Sequence, residues 1–249
     1  MKVIRSTKAG YNADDPDVAN KNLNFDSRFK YLQYKNDLLG NLSYTSDTTK
    51  TVTHDLGYLP AFLSYIKENG DSYWHNLYRV YLTHSAVIDD TELNIYAKNG
   101  DEVSYVIFVR PVEDAPAQND FVVEDDYGIL VLPTDKTLET VKEDEVLFYS
   151  QWGCAIIVKE LSIAVSVTGS GNYSSSEAHG LNYTPAFTGF INNGSFRFAD
   201  PFVFIDMGGA TLAEIRVDDT NVTARVETTD SGSYTYYFRI NLLNIALET

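Results

Sequence analysis

The chain has 249 residues and a formal net charge of −16, so phosphate backbones and anionic membrane surfaces would repel it. We therefore expect neither nucleic acid nor a membrane as its partner. Apolar residues make up 44% of the sequence and aromatic residues 13%, which is enough to bury a core and excludes a disordered chain. Cys154 is the only cysteine, so an intrachain disulfide and a cysteine-based metal site are excluded as well.

The first segment, residues 1–8, lacks the apolar run of a signal peptide. No later stretch approaches the ~18 apolar residues that a membrane-spanning helix needs. We therefore expect a protein that is made in a cytoplasm and is not inserted into a membrane.

Alternating apolar and polar residues predict strands along the whole chain, with no helix longer than about two turns. The clearest strands, in chain order, are 49–53, 61–66, 93–97, 103–109, 163–168, 187–191, 222–226 and 234–240. The Asn-Gly pair in Lys98–Asp101 predicts a hairpin with a type I′ turn, and Thr229–Gly232 occupies the same place in the second half. Short strands separated by turn residues favour antiparallel β-sandwiches or jelly rolls.

A repeat divides the sequence into two halves. Residues 54–62, HDLGYLPAF, and residues 179–187, HGLNYTPAF, are identical at six of nine positions at an offset of 125. Further along, Asp89-Asp90-Thr91 matches Asp218-Asp219-Thr220 at an offset of 129. Self-similarity on this scale is typical of a duplicated module. We therefore predict an all-β protein with two tandem, duplicated antiparallel β-sandwich domains that resemble jelly rolls.

The polar segment around Pro116 is the predicted linker between the two domains. Each domain has a shorter leading segment followed by a sandwich. The predicted boundaries are 1–115 for the first domain (leading segment 1–42, sandwich 43–115) and 120–249 for the second (leading segment 120–161, sandwich 162–249).

The repeated motif supplies the first candidate site. Its residues are His54, Leu56, Tyr58, Pro60 and Phe62 in the first domain and His179, Leu181, Tyr183, Pro185 and Phe187 in the second. A histidine that acts as a base or a metal ligand needs a partner, and the neighbouring Asp55 is replaced by Gly180. We therefore predict a structural role, with each imidazole hydrogen-bonded to the backbone ahead of a strand, and keep a functional site as the alternative.

The repeated Asp-Asp-Thr sequences allow two interpretations. Carboxylates suit Ca²⁺, but two carboxylates fall short of its shell of about 6–8 oxygen ligands. Aspartate is also favoured in turns, where its side chain bonds to the nearby backbone. We expect turns here and keep half of a calcium site as the alternative.

The sequence carries no recognisable catalytic motif. It has no Gly-x-Ser-x-Gly nucleophile elbow, no glycine-rich phosphate loop and no His-Glu-x-x-His zinc motif. We predict a protein that is not an enzyme, without catalytic residues, cofactor or metal.

A group of aromatic residues follows the first apolar strand of each sandwich. Its members are Tyr73, Trp74, Tyr78, Phe196 and Phe198. Rings on loops can stack on sugars or anchor a protein partner, and rings in alternation can fill a core. Because Tyr73, His75 and Leu77 alternate, we expect a core role for these residues and keep a binding surface, for instance for a host surface glycan, as the alternative.

The motif His-x-Leu-Gly-Tyr-x-Pro at 54–60, with an aromatic strand after it, resembles small β-rich modules of bacteriophage tail and virion structural proteins. The opening, with Gly10-Tyr11 and Asn24–Phe29, is similar to theirs too. The resemblance covers nearly all of the first domain and less of the second, which departs at Asn182.

The resemblance implies a non-enzymatic component of a virion, made in the host cytoplasm. The first expectation is a place in the tail, as a tail tip, a fibre attachment or a fibre. The alternatives are a carbohydrate-binding module that recognises a receptor and a capsid decoration or head-fibre protein. The expected partners are other virion proteins and the chain itself, as a trimer or hexamer.

Overall fold

The computed structural model describes residues 5–7, 23–26, 33–77, 84–109, 121–125, 128–132, 148–149, 153–192, 197–199, 202–206 and 209–247. Side chains are described for 33–77, 84–109, 155–192 and 210–247. Within these residues every regular element is a strand except a 3-10 turn at Asn36–Leu38. All the described strand pairs are antiparallel, so the prediction of an all-β fold is confirmed.

The described strands before residue 155 have at most six residues, and most of those after it are longer. In chain order they are β1 (Arg5–Thr7), β2 (Leu23–Asp26), β3 (Gln33–Tyr34), β4 (Leu39–Ser43), β5 (Thr48–Thr53), β6 (Phe62–Lys67), β7 (Trp74–Asn76), β8 (Ser85–Ile88), β9 (Glu92–Ala97), β10 (Glu102–Ile107), β11 (Phe121–Asp125), β12 (Gly128–Leu132), β13 (Phe148–Tyr149), β14 (Gly153–Cys154), β15 (Ile157–Thr168), β16 (Gly171–Ala178), β17 (Pro185–Asn192), β18 (Arg197–Ala199), β19 (Phe202–Asp206), β20 (Gly209–Val217), β21 (Asn221–Thr228) and β22 (Ser233–Ala246).

The chain forms two compact units, and each unit takes one piece from each half of the sequence. The first unit consists of residues 1–36 and 109–154, and the second of residues 37–108 and 155–249. We name residues 37–108 module one and residues 155–249 module two, so both modules belong to the second unit.

The boundaries of these units relate to the predicted domains in two ways. Pieces of the first unit end at residues 36 and 154, whereas the predicted leading segments end at 42 and 161. The units do not follow the predicted division at 115–120, because strands pair across the two halves. In the first unit β3 pairs with β14, and in the second unit β7 pairs with β20.

The described residues of the first unit form three small sheets. Strands β1 and β2 form a pair, β11, β12 and β13 form a three-stranded sheet, and β14 pairs with β3. The last pairing places Cys154 opposite Gln33, whose backbone carbonyl also accepts the N–H of Val109 at 2.8 Å. Both leading segments of the sequence therefore meet in one unit.

The second unit shows the duplication in its topology. Module one has the strand orders β4-β10-β6-β7 and β5-β9-β8, and module two has β15-β22-β17-β18 and β16-β21-β20. Among the described strands these orders are identical when the strands of each module are numbered along the chain and β19, which pairs with β20, is left out of the numbering. The sequence repeat is thus a repeat of fold.

Alternation along the strands explains how module two forms its core. In β21, Val222, Ala224 and Val226 are fully buried, and the residues between them are more exposed. In β22 the buried residues include Phe238 and Ile240. Strand β15, in the sheet with β22, packs against β16 and β21 of the other sheet. Each fully buried large apolar side chain contributes roughly 1.5–3 kcal/mol to this packing.

The predicted type I′ hairpin at Lys98–Asp101 is wrong. Strands β9 and β10 on either side belong to different sheets, and so do β21 and β22 around Thr229–Gly232. Gly100 is the only residue of the first turn with a positive φ, whereas a type I′ turn needs two. The reason lies in the Asp101 carboxylate, which accepts the N–H groups of Lys98 at 2.8 Å and Asn69 at 3.0 Å and so directs the chain into the other sheet.

Candidate functional site

The repeated histidines hold the turns that precede β6 and β17. In module two, Nδ1 of His179 accepts the N–H of Leu181 at 3.1 Å, and Nε2 lies 3.1 Å from the carbonyl oxygen of Asp218. These bonds require the neutral tautomer with the proton on Nε2. In module one, Nδ1 of His54 accepts the N–H of Leu56 at 3.3 Å. Both imidazoles are buried, so they bond to backbone rather than face a ligand.

One difference separates the two histidines. Nε2 of His54 is buried and makes no hydrogen bond within the described part of the chain, whereas Nε2 of His179 has its carbonyl partner. The backbone N–H of the histidine itself has the same partner in both modules. The N–H of His54 donates to Thr91 at 2.8 Å, and that of His179 donates to Thr220 at 3.0 Å.

The Asp-Asp-Thr sequences form the same side-chain-capped turn in both modules. Oδ1 of Asp218 accepts the backbone N–H groups of Thr220 at 2.8 Å and Asn221 at 2.7 Å. Oδ1 of Asp89 accepts those of Thr91 at 2.8 Å and Glu92 at 2.7 Å. The first carboxylate of each pair therefore serves its own turn, which favours the turn interpretation over a calcium site.

Hydrogen bonding controls the acidity of these carboxyls. The N–H groups of Thr91 and then Glu92 lower the pKa of Asp89 below its ordinary value. Burial alone would raise the pKa of Asp218, but the N–H groups of Asn221 and Thr220 outweigh it, so that pKa is lowered too. Across the side chains that the structure describes, no group of three or more His, Cys, Asp and Glu could hold a metal ion.

The remaining motif residues line the start of β6 and β17. Pro60, Pro185 and Phe187 are buried, and Leu56, Tyr58, Phe62, Leu181 and Tyr183 are partly buried. The Tyr183 hydroxyl donates to the carbonyl of Leu243 at 3.3 Å, and burial raises the pKa of Tyr183. The motif therefore builds the entry into a strand.

The site where the structure brings distant residues together is the junction between the modules. Strand β7 of module one pairs with β20 of module two, with Trp74 opposite Val217 and His75 opposite Arg216. One sheet therefore runs through both modules in the order β16-β21-β20-β7-β6-β10-β4. Trp74 is 2% exposed and Val217 is fully buried. The junction is thus part of the core.

Tyr65 makes the second contact of the junction. Its hydroxyl donates to the carbonyl of Phe187 at 2.6 Å and accepts the N–H of the same residue at 3.0 Å. The two rings lie with their centroids 5.0 Å apart. Tyr65 is 1% exposed and Phe187 is fully buried. One phenol therefore satisfies both backbone polar groups of a buried residue, Phe187, in β17.

Charged residues lie at the surface of the junction. The Arg216 guanidinium lies 4.1 Å from the centroid of the Tyr73 ring, a cation–π distance. Its Nε also donates to Oε1 of Glu214 at 2.8 Å, and Nη1 of Arg225 donates to the same oxygen at 3.0 Å. Burial and the hydrogen bond with Asp71 raise the pKa of Tyr73 to about 12, although Arg216 opposes the shift.

Module one also has a buried polar cluster without a counterpart in module two. Nε2 of His84 lies 2.9 Å from Oδ2 of Asp101, and both side chains are buried. Nearby, Nε2 of His75 lies 3.5 Å from Glu68, and this hydrogen bond lowers the pKa of Glu68. Asp101 is 3% exposed and accepts two backbone N–H groups, so it holds a turn.

The candidate aromatic surface is not assembled as one patch. Trp74 belongs to the core, and Tyr73 is partly buried beneath Arg216. Tyr78, Phe196 and the side chain of Phe198 lie outside the described residues.

The exposed apolar residues lie elsewhere. They include Leu59, Val87, Phe190 and Tyr237, which are 68%, 63%, 56% and 49% exposed. Sequence reasoning missed them because each lies in or near an apolar strand, where burial is the default expectation. The repeat offered a signal for one of them, since Phe190 occupies the position of Tyr65 at the offset of 125.

Comparisons of the chain with models of protein families, with curated proteins and with solved structures give no match. No helix in the described ranges is long and apolar enough to cross a membrane.

Proposed function

We propose that this chain is a non-enzymatic structural component of a bacteriophage virion, associated with the tail as part of a tail tip, a fibre attachment or a fibre. The observation that carries the proposal is the set of hydrogen bonds that the repeated polar residues make. His54, His179, Asp89 and Asp218 all bond to the backbone of their own turns. The most recognisable residues of the sequence therefore build a scaffold.

The junction supports the same proposal. Two modules that share a continuous sheet and a buried Tyr65–Phe187 contact form one continuous piece of protein rather than two domains on a linker. The resemblance of the His-x-Leu-Gly-Tyr-x-Pro motif to phage virion modules supplies the setting. The alternative is a receptor-recognition module that binds carbohydrate. It has less support, because Trp74, one of its candidate aromatic residues, is buried.

The test is to locate the protein in purified phage particles. Antibodies against the full chain, coupled to gold, are expected to label the tail in electron micrographs, and peptides of the chain are expected in the digest of the particles. Label on the head would replace the tail assignment with a capsid decoration or head-fibre protein. Particles that lack the chain altogether would refute the proposal.

A further inference from the structure

The junction between the modules uses two different surfaces. The donor surface belongs to module one and consists of strand β7 and Tyr65. The acceptor surface belongs to module two and consists of Arg216 and Val217 in β20 and of Phe187. Because the modules have the same strand order, each of them should also carry the counterpart of the surface that the other one uses.

The counterpart of the donor surface lies in module two. Strand β18 occupies the place of β7, at the end of the order β15-β22-β17-β18, and pairs with no further strand among the described residues. The registers agree: Tyr65 is opposite Asn76, and Phe190 is opposite Ala199. Phe190 therefore corresponds to Tyr65. Tyr65 is 1% exposed because module two covers it, whereas Phe190 is 56% exposed.

The counterpart of the acceptor surface lies in module one. The matching Asp-Asp-Thr turns fix the correspondence, so Val87 and Ile88 of β8 stand where Arg216 and Val217 stand in β20. Strand β8 pairs with β9 on one side and with no other strand in the described ranges. Val87 is 63% exposed.

The apolar character of this surface extends into the repeated motif. Phe62 corresponds to Phe187 and is partly buried, and the nearby Leu59 is 68% exposed. We call these two counterparts, β18 with Phe190 and β8 with Phe62, the unused surfaces. Three of the most exposed apolar side chains, Leu59, Val87 and Phe190, lie on or beside them. Unpaired strand edges with apolar side chains are surfaces on which another chain can add.

We propose that copies of this chain associate head to tail, with β18 and Phe190 of one copy on β8 and Phe62 of the next. The contact repeats between copies the geometry that joins the modules within a copy. It gives the self-association expected from the sequence a defined interface, and it rests on the proposed function only for its biological setting. Because two different surfaces meet, the contact is heterologous and builds either a ring or an open filament.

The chemistry of the unused surfaces predicts a weaker contact than the internal junction. Phe190 lacks the hydroxyl with which Tyr65 binds both polar groups of Phe187. Val87 replaces Arg216, so apolar contact takes the place of the cation–π and ion-pair contacts. Copies with a net charge of −16 repel one another. Salt screens this repulsion and leaves apolar contact intact, so association is expected to strengthen with salt.

The experiment measures the mass of the full chain in solution by light scattering over a range of concentrations and salt. The unmodified chain is expected to form species larger than one chain. Val87→Asp and Phe190→Asp each place a charge on one surface, and each is expected to reduce the mass to that of a single chain. Val158→Asp is the matched control, because Val158 is exposed in β15 but lies on neither surface, and it should leave the mass unchanged.

Mixing the two variants tests the head-to-tail geometry directly. Val87→Asp retains its β18 surface and Phe190→Asp retains its β8 surface, so the mixture is expected to form pairs of one copy of each and nothing larger. A mixture that stays as single chains would overturn the proposal. So would a strictly monomeric unmodified chain, or variants that assemble as before.

Hydrogen exchange of the unmodified chain provides a second measurement that does not depend on whether a variant folds. Amides of β8 and β18 are expected to exchange more slowly at high concentration than at low concentration. Equal exchange at both concentrations would refute the interface. These solution measurements are separate from the labelling of particles, so failure of the interface and failure of the virion assignment can be told apart.

Discussion

The residue after each repeated histidine has a left-handed backbone in both modules. Its φ is 49° at Asp55 and 70° at Gly180. Residues with a side chain are disfavoured there by roughly 1–2 kcal/mol, and aspartate tolerates the conformation better than most. The turn, rather than any chemistry of the aspartate, therefore explains why one module has Asp and the other Gly.

Gly180→Ala is expected to lower the free energy of unfolding by about 1 kcal/mol. An added Cβ would meet nothing within 4 Å, so the loss comes from the backbone alone. Gly180→Asp is the matched variant and should cost less, because Asp55 already occupies the same position in module one. Urea denaturation of both variants checks the order. Equal losses would show that the left-handed position is not what distinguishes them.

The turn carboxylates give the fold a dependence on acid. The folded pKa of Asp218 lies below its ordinary value of 3.8, so the unfolded chain takes up the proton first as the pH falls. The stabilisation is therefore complete above pH 3.8 and is lost as the pH drops through the folded pKa. Asp218→Asn keeps an oxygen acceptor for the turn and removes the charge.

We expect the difference in unfolding free energy between the unmodified chain and Asp218→Asn to shrink when the pH is lowered from about 6 to about 3. Denaturation at a series of pH values measures it. Asp219→Asn is the control, since Asp219 accepts the Thr220 hydroxyl at 3.2 Å and no backbone N–H within the described residues. A difference that stays constant with pH would contradict the role of the Asp218 carboxylate.

Besides the pairing of β7 with β20, the modules are joined by a contact between β6 and β17, in which Tyr65 binds Phe187. Tyr65→Phe removes the hydroxyl and leaves the N–H and the carbonyl of Phe187 buried without this partner. Each unsatisfied buried group costs about 1–3 kcal/mol, so we expect a loss of about 2–4 kcal/mol in unfolding free energy. Chemical denaturation at neutral pH is the measurement.

Tyr173→Phe is the control for this substitution. Its hydroxyl donates to Gly169 at 3.2 Å within one turn of module two, in a partly buried position. It is expected to cost no more than about 1 kcal/mol. If the two substitutions cost the same, the Tyr65 hydroxyl does not bind the modules together.

Sequence alone revealed the type of element and the duplication, but not how the modules join. Strand alternation and the offsets of 125 and 129 are local patterns, and they are visible in one chain. The pairing of β7 with β20 involves two residues on each strand and depends on where both modules lie in space. Nothing in the Trp74-His75 sequence indicates that partner.

The turns of the candidate site could also be predicted only in part from the sequence. The Asp-Asp-Thr turns follow from known side-chain preferences, whereas the Asn-Gly turn at Lys98–Asp101 does not form the expected hairpin. There the carboxylate of Asp101, buried beside His84, overrides the preference of the dipeptide. Tertiary contacts of this kind have no signature in a single sequence.

At the scale of the whole molecule, the continuous sheet predicts that the two modules unfold together. The slowest amides of β9 in module one and of β21 in module two should exchange with equal free energies of opening. Native-state hydrogen exchange measures both strands in one experiment. Tyr65→Phe should lower both values, whereas a change confined to one strand would show that the modules open independently.

The order of the modules along the chain has a consequence for synthesis. Module one leaves the ribosome first, and β7 and Tyr65 have no cover until β20 and Phe187 have been translated. A nascent neighbour on the same messenger presents the same surfaces during that interval. Tethering gives the chain's own second half the higher effective concentration, so the two modules of one chain join with each other when translation elongation is fast. A pause after module one therefore favours chains that exchange their second halves, a swapped species with native contacts but the wrong covalent connections.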